Sequence, residues 1–329
     1  HLSGKVIGVA FDGTGYGTDG KIWGGEFLVA DYLGFERRAH LRYVPLPGGD
    51  AAVRQPWRMA MSYLRDTFWA EYLPKISEIV SSKSSGTPEM QPRMGRNSLA
   101  QQPSTSLRAG YATGGVLGST GNEPESLGGG TWSSMERIGK LPLFREIPRT
   151  KRAIVDAMLA RRLNCFDTSS CGRLFDAVSS IVGLRHEVTF EGQAAIELEM
   201  IADPGIERVY PYAIGEADVA QLDMRPMVEA IVRDISHAVP ASEIAAAFHN
   251  TLAALIVQVC GQIRQREALN SVCLSGGTFQ NVFLLERSVQ CLRRSGFEVF
   301  LHAKVPPNDG GIALGQAVIA NAVLEGARL

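Results

Sequence analysis

The chain has 329 residues, 45% of them hydrophobic and 20% charged, with a net charge of −1. That length gives room for roughly two domains, or one domain with a large insertion. The near-neutral charge supplies no general electrostatic drive toward nucleic acid or an anionic membrane. No uninterrupted apolar run approaches the ~20 residues of a membrane span, and the five cysteines contain no CxxC pair. Reduced core thiols in a cytoplasmic protein are expected from that usage.

Val6–Phe11 is an apolar run that predicts a buried strand. It ends on Asp12, and Gly13, Thr14 and Gly15 follow. Glycines there let a backbone approach a ligand closely, and successive N–H groups can cradle phosphate. Asp12 at the mouth could hold a divalent metal. A plain Gly-rich β-hairpin with an exposed Asp is the other reading of the same residues.

Ile22–Tyr32 and Phe35–Val44 predict two further strands, making an antiparallel meander. Asp50 is the expected N-cap of a helix over Ala51–Leu73, which carries Trp57, Met61, Leu64 and Phe68 at helical spacing. Residues 81–135 are rich in Ser, Gly and Pro and poor in aliphatics. They read as a disordered or loosely packed insertion, or as a loop that orders on a partner.

Helices are expected over Thr150–Asn164, Leu174–Leu184, Phe190–Ile201, Met224–Ala238 and Ala241–Arg266, with a strand over Val209–Ala213. The closing stretch alternates: a strand at Val272–Leu274, the turn Ser275–Asn281, a helix to Ser295, a strand at Phe297–His302 and a helix at Ile312–Leu324. Strand, Gly turn and helix in succession argue for a parallel half-sheet with helices on both faces.

The expected fold is therefore α/β: one ribonuclease-H-like lobe of the actin and hexokinase superfamily, with a mixed sheet and a large helical insertion. That superfamily is built from two such lobes, and one is expected here. The expected organisation is residues 1–75 for the opening meander and helix, 76–149 for the low-complexity insertion, 150–240 for the helical insertion and 241–329 for the closing half.

Several stretches together resemble one family. They are F-D-G-T-G-Y-G at 11–17, P-L-P-G-G-D-A-A-V-R-Q-P-W-R-M-A at 45–60, T-S-S-C-G-R-L-F-D-A-V at 168–178, E-G-Q-A-A-I-E-L-E at 191–199, S-G-G-T-F-Q-N at 275–281 and V-P-P-N-D-G-G-I-A-L-G-Q at 305–316. The chain resembles the C-terminal part of HypF, the carbamoyltransferase of nickel–iron hydrogenase maturation. That resemblance implies a wider kinship with TobZ-type carbamoyltransferases and tRNA threonylcarbamoyl transferases.

The resemblance implies passage of a carbamoyl group from carbamoyl adenylate, made with ATP, to the C-terminal cysteine of a HypE-like acceptor. It implies Asp12 and Asp309 as ligands of a divalent metal, with magnesium, iron and zinc all open. Gly13, Thr14 and Gly15 would line phosphates. Gly276, Gly277 and Asn281 would approach the adenine and its phosphates, and Gly172 and Asp176 the nucleoside. The upstream adenylate-forming domain and the first lobe, with its paired-histidine metal ligands, are absent from this sequence and are expected partners.

Turn-stabilising or capping roles are the alternatives for Asp12 and Asp309. A partly exposed helix position is the alternative for Asp176, and either a phosphate or a surface acid is the partner of Arg173. His249, Cys165 and Cys171 are expected to be interior or structural. Two rival readings of the whole are a small-molecule kinase of the actin and hexokinase type, and a non-catalytic module that docks on the acceptor or on the missing lobe.

Overall fold

The computed structural model describes residues 4–68 and 134–326. Strands β1 (Val6–Tyr16), β2 (Ile22–Ala30) and β3 (Phe35–Leu41) form the antiparallel meander that the opening predicts. β4 (Val44–Pro47) then leads into α1 (Asp50–Arg54) and α2 (residues 56–68). The single helix expected from Ala51 is broken at Gln55, because Pro56 disfavours a helical conformation in the residue before it. Gly49 is the cap residue, and Asp50 is the first helical residue, in the turn where a carboxylate complements the helix dipole.

Most of the Ser/Gly/Pro-rich stretch, and the expected helix beyond residue 68, lie outside the described residues. The residues at and just after the end of that stretch form α3 (Ser134–Gly139) and α4 (Pro142–Glu146), with Leu141 and Leu143 fully buried. The region expected to be helical apart from one strand supplies three. After α5 (Arg149–Arg161) comes β5 (Cys165–Thr168), which pairs with β4 and β2. α6 (Cys171–Val182) and α7 (Gln193–Met200) follow. The strand expected at Val209–Ala213 is displaced to β6 (Ala213–Ile214), which pairs with β7 (Ala220–Asp223).

α8 (Arg225–Ser236) and α9 (Ala241–Glu267) precede β8 (Ser271–Ser275), α10 (Val282–Arg294), β9 (Glu298–Phe300) and α11 (Ile312–Gly326). The described residues form one mixed sheet with the path β6-β7-β3-β2-β1-β8-β9. β8 runs parallel to β1, and β9 parallel to β8.

The core follows from the period-2 pattern of β1, in which Ile7, Val9 and Phe11 are buried. Phe11 stacks on Phe279 at 5.7 Å and meets Phe27 edge-on at 5.6 Å. α9 is long and apolar enough to cross a membrane by length and composition, but 78% of its most apolar window is buried inside the fold. It is the central core helix, and its buried face includes Phe248, Leu252, Leu255 and Ile256. The five cysteines are unpaired.

Candidate functional site

β1 does not stop at Asp12. It continues to Tyr16 and pairs with β2 through a bulge: Phe11 faces Gly25 and Gly15 faces Trp23, so Asp12, Gly13 and Thr14 stand opposite Gly24 alone. Bulges of this kind re-aim side chains beside functional sites. Here the bulge presents Asp12 and Gly13 to a cleft of about 580 Å³. Thr14 and Gly15 lie farther along the hairpin, are exposed, and do not line the cleft. The phosphate role that the resemblance implies for both is not supported by this placement, and the hairpin, the other reading of these residues, is the form they take.

Two close backbone approaches build the floor. Gly276 has φ +101°, and a Cβ there would lie 2.1 Å from the Phe11 carbonyl oxygen. Its N–H donates to the Pro307 carbonyl at 2.9 Å. Gly276 therefore packs main chain on main chain and does not line the cleft. Gly172 abuts Gly13, where an added Cβ would lie 2.9 Å from the Gly13 Cα. Ser170 caps α6 by accepting from the Arg173 N–H, and its hydroxyl donates to the carbonyls of Asp12 and Gly13. The neighbouring Ser169 hydroxyl donates to buried Glu26. The start of α6 is thus fastened to the bulge.

Asp12, Gly13, Gly172, Asp176, Gly277, Asn281 and Asp309 all line this one cleft. Asp12 Oδ1 accepts from the Gly13 N–H at 2.7 Å. Burial raises the Asp12 pKa and the nearby charges of Asp309 and Glu191 add to the rise, while N–H groups of Gly13 and Gly277 oppose it. Asp309 opens a short 3-10 turn whose preceding residue, Asn308, accepts from the Gly310 N–H.

Asp176 is buried, not a partly exposed helix position. Its Oδ2 lies 2.7 Å from Arg173 Nε, one turn away on α6. The two atoms are not aligned as a hydrogen bond, and neither has another partner among the described residues. Arg173 therefore pairs inside its own helix. Burial pushes the Asp176 carboxyl up to about 6 against the opposing Arg173 charge.

Asn281 reaches the cleft, but both ends of its amide are engaged. Oδ1 accepts from the Leu284 N–H at 2.8 Å, capping α10, and Nδ2 donates to His249 Nε2 at 2.9 Å. Glu199 adds a second cap by accepting from the Phe283 N–H at 3.0 Å. His249 is fully buried, as expected of an interior histidine. Cys171 is likewise buried, and burial pushes its thiol pKa upward.

Sequence reasoning missed Glu191, Glu199 and Thr278 as cleft residues. Glu191 and Glu199 bound the motif at 191–199, and each stands beside a Gly or a helix end. That adjacency is the only local signal they carry. Among the described residues, no group of three or more His, Cys, Asp or Glu side chains is set to hold a metal. The acidic residues of the cleft are Asp12, Asp176, Glu191, Glu199 and Asp309, Asp176 being the one paired with Arg173, and no His or Cys lines it. An all-oxygen set of this kind fits a hard cation whose shell is completed by water, phosphate or outside ligands.

A family model described as "Carbamoyltransferase, Kae1-like Domain, second subdomain" matches residues 8–109 and 129–316. The chain is 33% identical over 314 residues to the carbamoyltransferase HypF of Synechocystis sp., covering 95% of this chain and 33% of that relative. It is 33% identical over 328 residues to a HypF homolog of Cupriavidus necator, covering 97% of this chain and 66% of the relative. A crystal structure of full-length HypF in the phosphate- and nucleotide-bound form superposes with a TM-score of 0.75 at 35% identity, covering 98% of this chain and 40% of that one. The chain spans about a third of the length of the Synechocystis protein. It belongs to the HypF carbamoyltransferase family, as the second subdomain of the Kae1-like domain.

Proposed function

We propose that this chain is the nucleotide- and metal-binding half of a HypF-type carbamoyltransferase site. The observation that carries the reading is convergence. Residues from the β1 bulge, the start of α6, the turn after β8 and the turn before α11 line one cleft, and they come from the separate motifs of the family resemblance. The nucleotide-bound state of the HypF relative supports ATP or carbamoyl adenylate as the ligand. The sheet order, a meander followed by parallel β8 and β9, supports a ribonuclease-H-like lobe. The unpaired cysteines support a cytoplasmic setting.

Asp12 and Asp309 would hold the divalent cation. Such an ion polarises a carbonyl or a leaving phosphate when bound. The remaining work falls to the chain. Gly277 and Gly172 keep the cleft floor free of side chains, so a nucleotide can lie against the main chain. The wall from α6 carries the buried Arg173–Asp176 pair. Asp176 is the group there that can accept from ribose hydroxyls.

The reaction moves the carbamoyl carbon from the adenylate phosphate oxygen to a thiol sulfur. A C–S bond forms, the C–O bond breaks, AMP leaves and the thiol proton is lost. The nucleophile would be the C-terminal cysteine of a HypE-like acceptor. Burial raises the Cys171 and Cys260 thiols of this chain, which suits them to packing rather than to attack.

The test is reconstitution. The 329-residue chain is mixed with the first subdomain of the Synechocystis relative, carbamoyl adenylate and a HypE-like acceptor, and thiocarbamate on the acceptor is measured. Transfer is expected in the mixture, with a loss of about 100-fold for Asp309→Ala. Full transfer by the Asp309→Ala protein would remove that residue from the site.

A further inference from the structure

Glu26 lies near the middle of β2 and is only 3% exposed. An acid is seldom buried unless its oxygens are engaged, because taking it out of water is costly. Four donors meet this one. Oε1 accepts from the N–H groups of Gly24 at 3.2 Å and Gly25 at 3.3 Å and from the Ser169 hydroxyl. Oε2 accepts from Arg37 Nε at 2.5 Å. A carboxylate accepts at both oxygens, whereas a glutamine amide has to turn its NH2 toward the donors at one end or the other. The position therefore demands an acid.

Those donors stand where the cleft is built. Gly24 is the residue that faces Asp12, Gly13 and Thr14 across the bulge. It is wedged tightly: an added Cβ would lie 2.7 Å from the Asp12 carbonyl oxygen and 3.2 Å from the Ser170 Cα. Ser170 in turn donates its hydroxyl to the carbonyls of Asp12 and Gly13, and Ser169 is its neighbour in the chain. One carboxylate thus holds both main-chain segments that press on the Asp12 backbone. Arg37 anchors that carboxylate from β3. Its guanidinium lies 4.0 Å from the Trp23 ring, beside Gly24, and Nη1 donates to the Tyr43 hydroxyl at 2.8 Å. Glu26 itself does not line the cleft.

We propose that Glu26 is a positioning residue of this site: from behind the bulge it fixes the backbone from which Asp12 reaches the bound cation. Outer groups that orient a metal's ligands typically cost about 10–100-fold in metal affinity or activity when lost. The proposal rests on the nucleotide and metal reading above for what Asp12 does. The hold on the bulge is a property of the fold and can be measured without a ligand.

Glu26→Gln in the full chain is the test, with two readouts. In calorimetry, ATP should bind about tenfold more weakly than to the native chain when magnesium is present. In EDTA the difference should stay below about threefold, because only the Asp12 contact to the cation is disturbed. A merely structural role would lower both alike. In ligand-free hydrogen exchange, the amides of residues 11–15 should open at least about tenfold faster, with those of α9 unchanged. Ser169→Ala removes a single donor and keeps Glu26 paired with Arg37. It should speed exchange at 11–15 by about threefold, and it carries the test if Glu26→Gln does not fold. Glu36→Gln, an exposed change on β3, should leave both readouts unaltered. Native exchange at 11–15 in both Glu26→Gln and Ser169→Ala would overturn the proposal, whether or not ATP binds. So would equal losses of ATP affinity with and without magnesium. Faster exchange at 11–15 in a protein whose native form takes no ATP would uphold the hold on the bulge and count against the nucleotide reading alone.

Discussion

Asn281 Nδ2 donates to His249 Nε2 at 2.9 Å, and this bond ties the cap of α10 at the cleft to the buried centre of α9. His249 must accept there, so its proton sits on Nδ1, which faces the Ala245 carbonyl oxygen at 2.7 Å. A protonated ring could not accept from Asn281.

Stability should therefore fall with acid. Burial lowers the His249 pKa from 6.5 to about 4, against the Ala245 carbonyl, which raises it. Above pH ~6.5 the ring is neutral in both folded and unfolded chains. As pH drops from there toward 4, the unfolded chain binds a proton that the folded chain does not. The loss is on the order of 3 kcal/mol once pH 4 is reached. Urea denaturation across that range should show the slope in the native protein and a shallower one in His249→Leu. That variant should also lose about 1–3 kcal/mol at pH 7, since it strands the Asn281 amide.

The Arg173–Asp176 pair should behave as a coupled unit. Asp176→Asn should destabilise by roughly 3 kcal/mol, because it leaves the Arg173 charge buried without a counter-charge. Arg173→Met with Asp176→Leu should recover most of that loss. Denaturation midpoints of the two singles and the double give the coupling directly. Equal and additive losses would show that the two groups act apart.

The contact of Gly172 with Gly13 should tolerate no side chain. Gly172→Val places atoms inside the 2.9 Å approach of an added Cβ to the Gly13 Cα. A cost of about 1–3 kcal/mol is expected from overpacking, together with weaker ATP binding as the β1 bulge shifts. A variant with native stability and native affinity would mean that the start of α6 moves freely against β1.

Much of this arrangement was legible in the sequence because its signals are local. β1, β8 and α10 announce themselves by apolar runs and a capping Asn, and the Gly-containing motifs that flank them meet in the cleft. β5 and β7 did not. Each is four residues long, too short for alternation to outweigh the helical patterns around it. The bulge after Phe11 was invisible for a different reason. It depends on the pairing of β1 with β2, and that pairing places Thr14 and Gly15 outside the cleft while turning Asp12 toward it. Partners distant in the chain also escaped: the resemblance implied Asn281 only as a nucleotide contact, yet α9 supplies an acceptor for its amide from 32 residues away.

The chain by itself should transfer carbamoyl groups negligibly. In the proposed function it supplies one wall of the site, and a misplacement of about 1 Å can cost ~100-fold in rate. Thiocarbamate formation measured without the first subdomain checks this. Robust transfer by the 329-residue chain would show that the cleft is catalytically complete.

The central claim is that this cleft takes a nucleotide, and calorimetric titration of ATP with magnesium into the chain tests it most directly. Gly277 is the position to change, because a Cβ there lies 3.0 Å from Asp12 Oδ1 and valine would fill the space between the two. The account predicts saturable binding by the native chain and loss of the signal in Gly277→Val, with unchanged circular dichroism. Equal heats for the two proteins, or no binding by either, would contradict it.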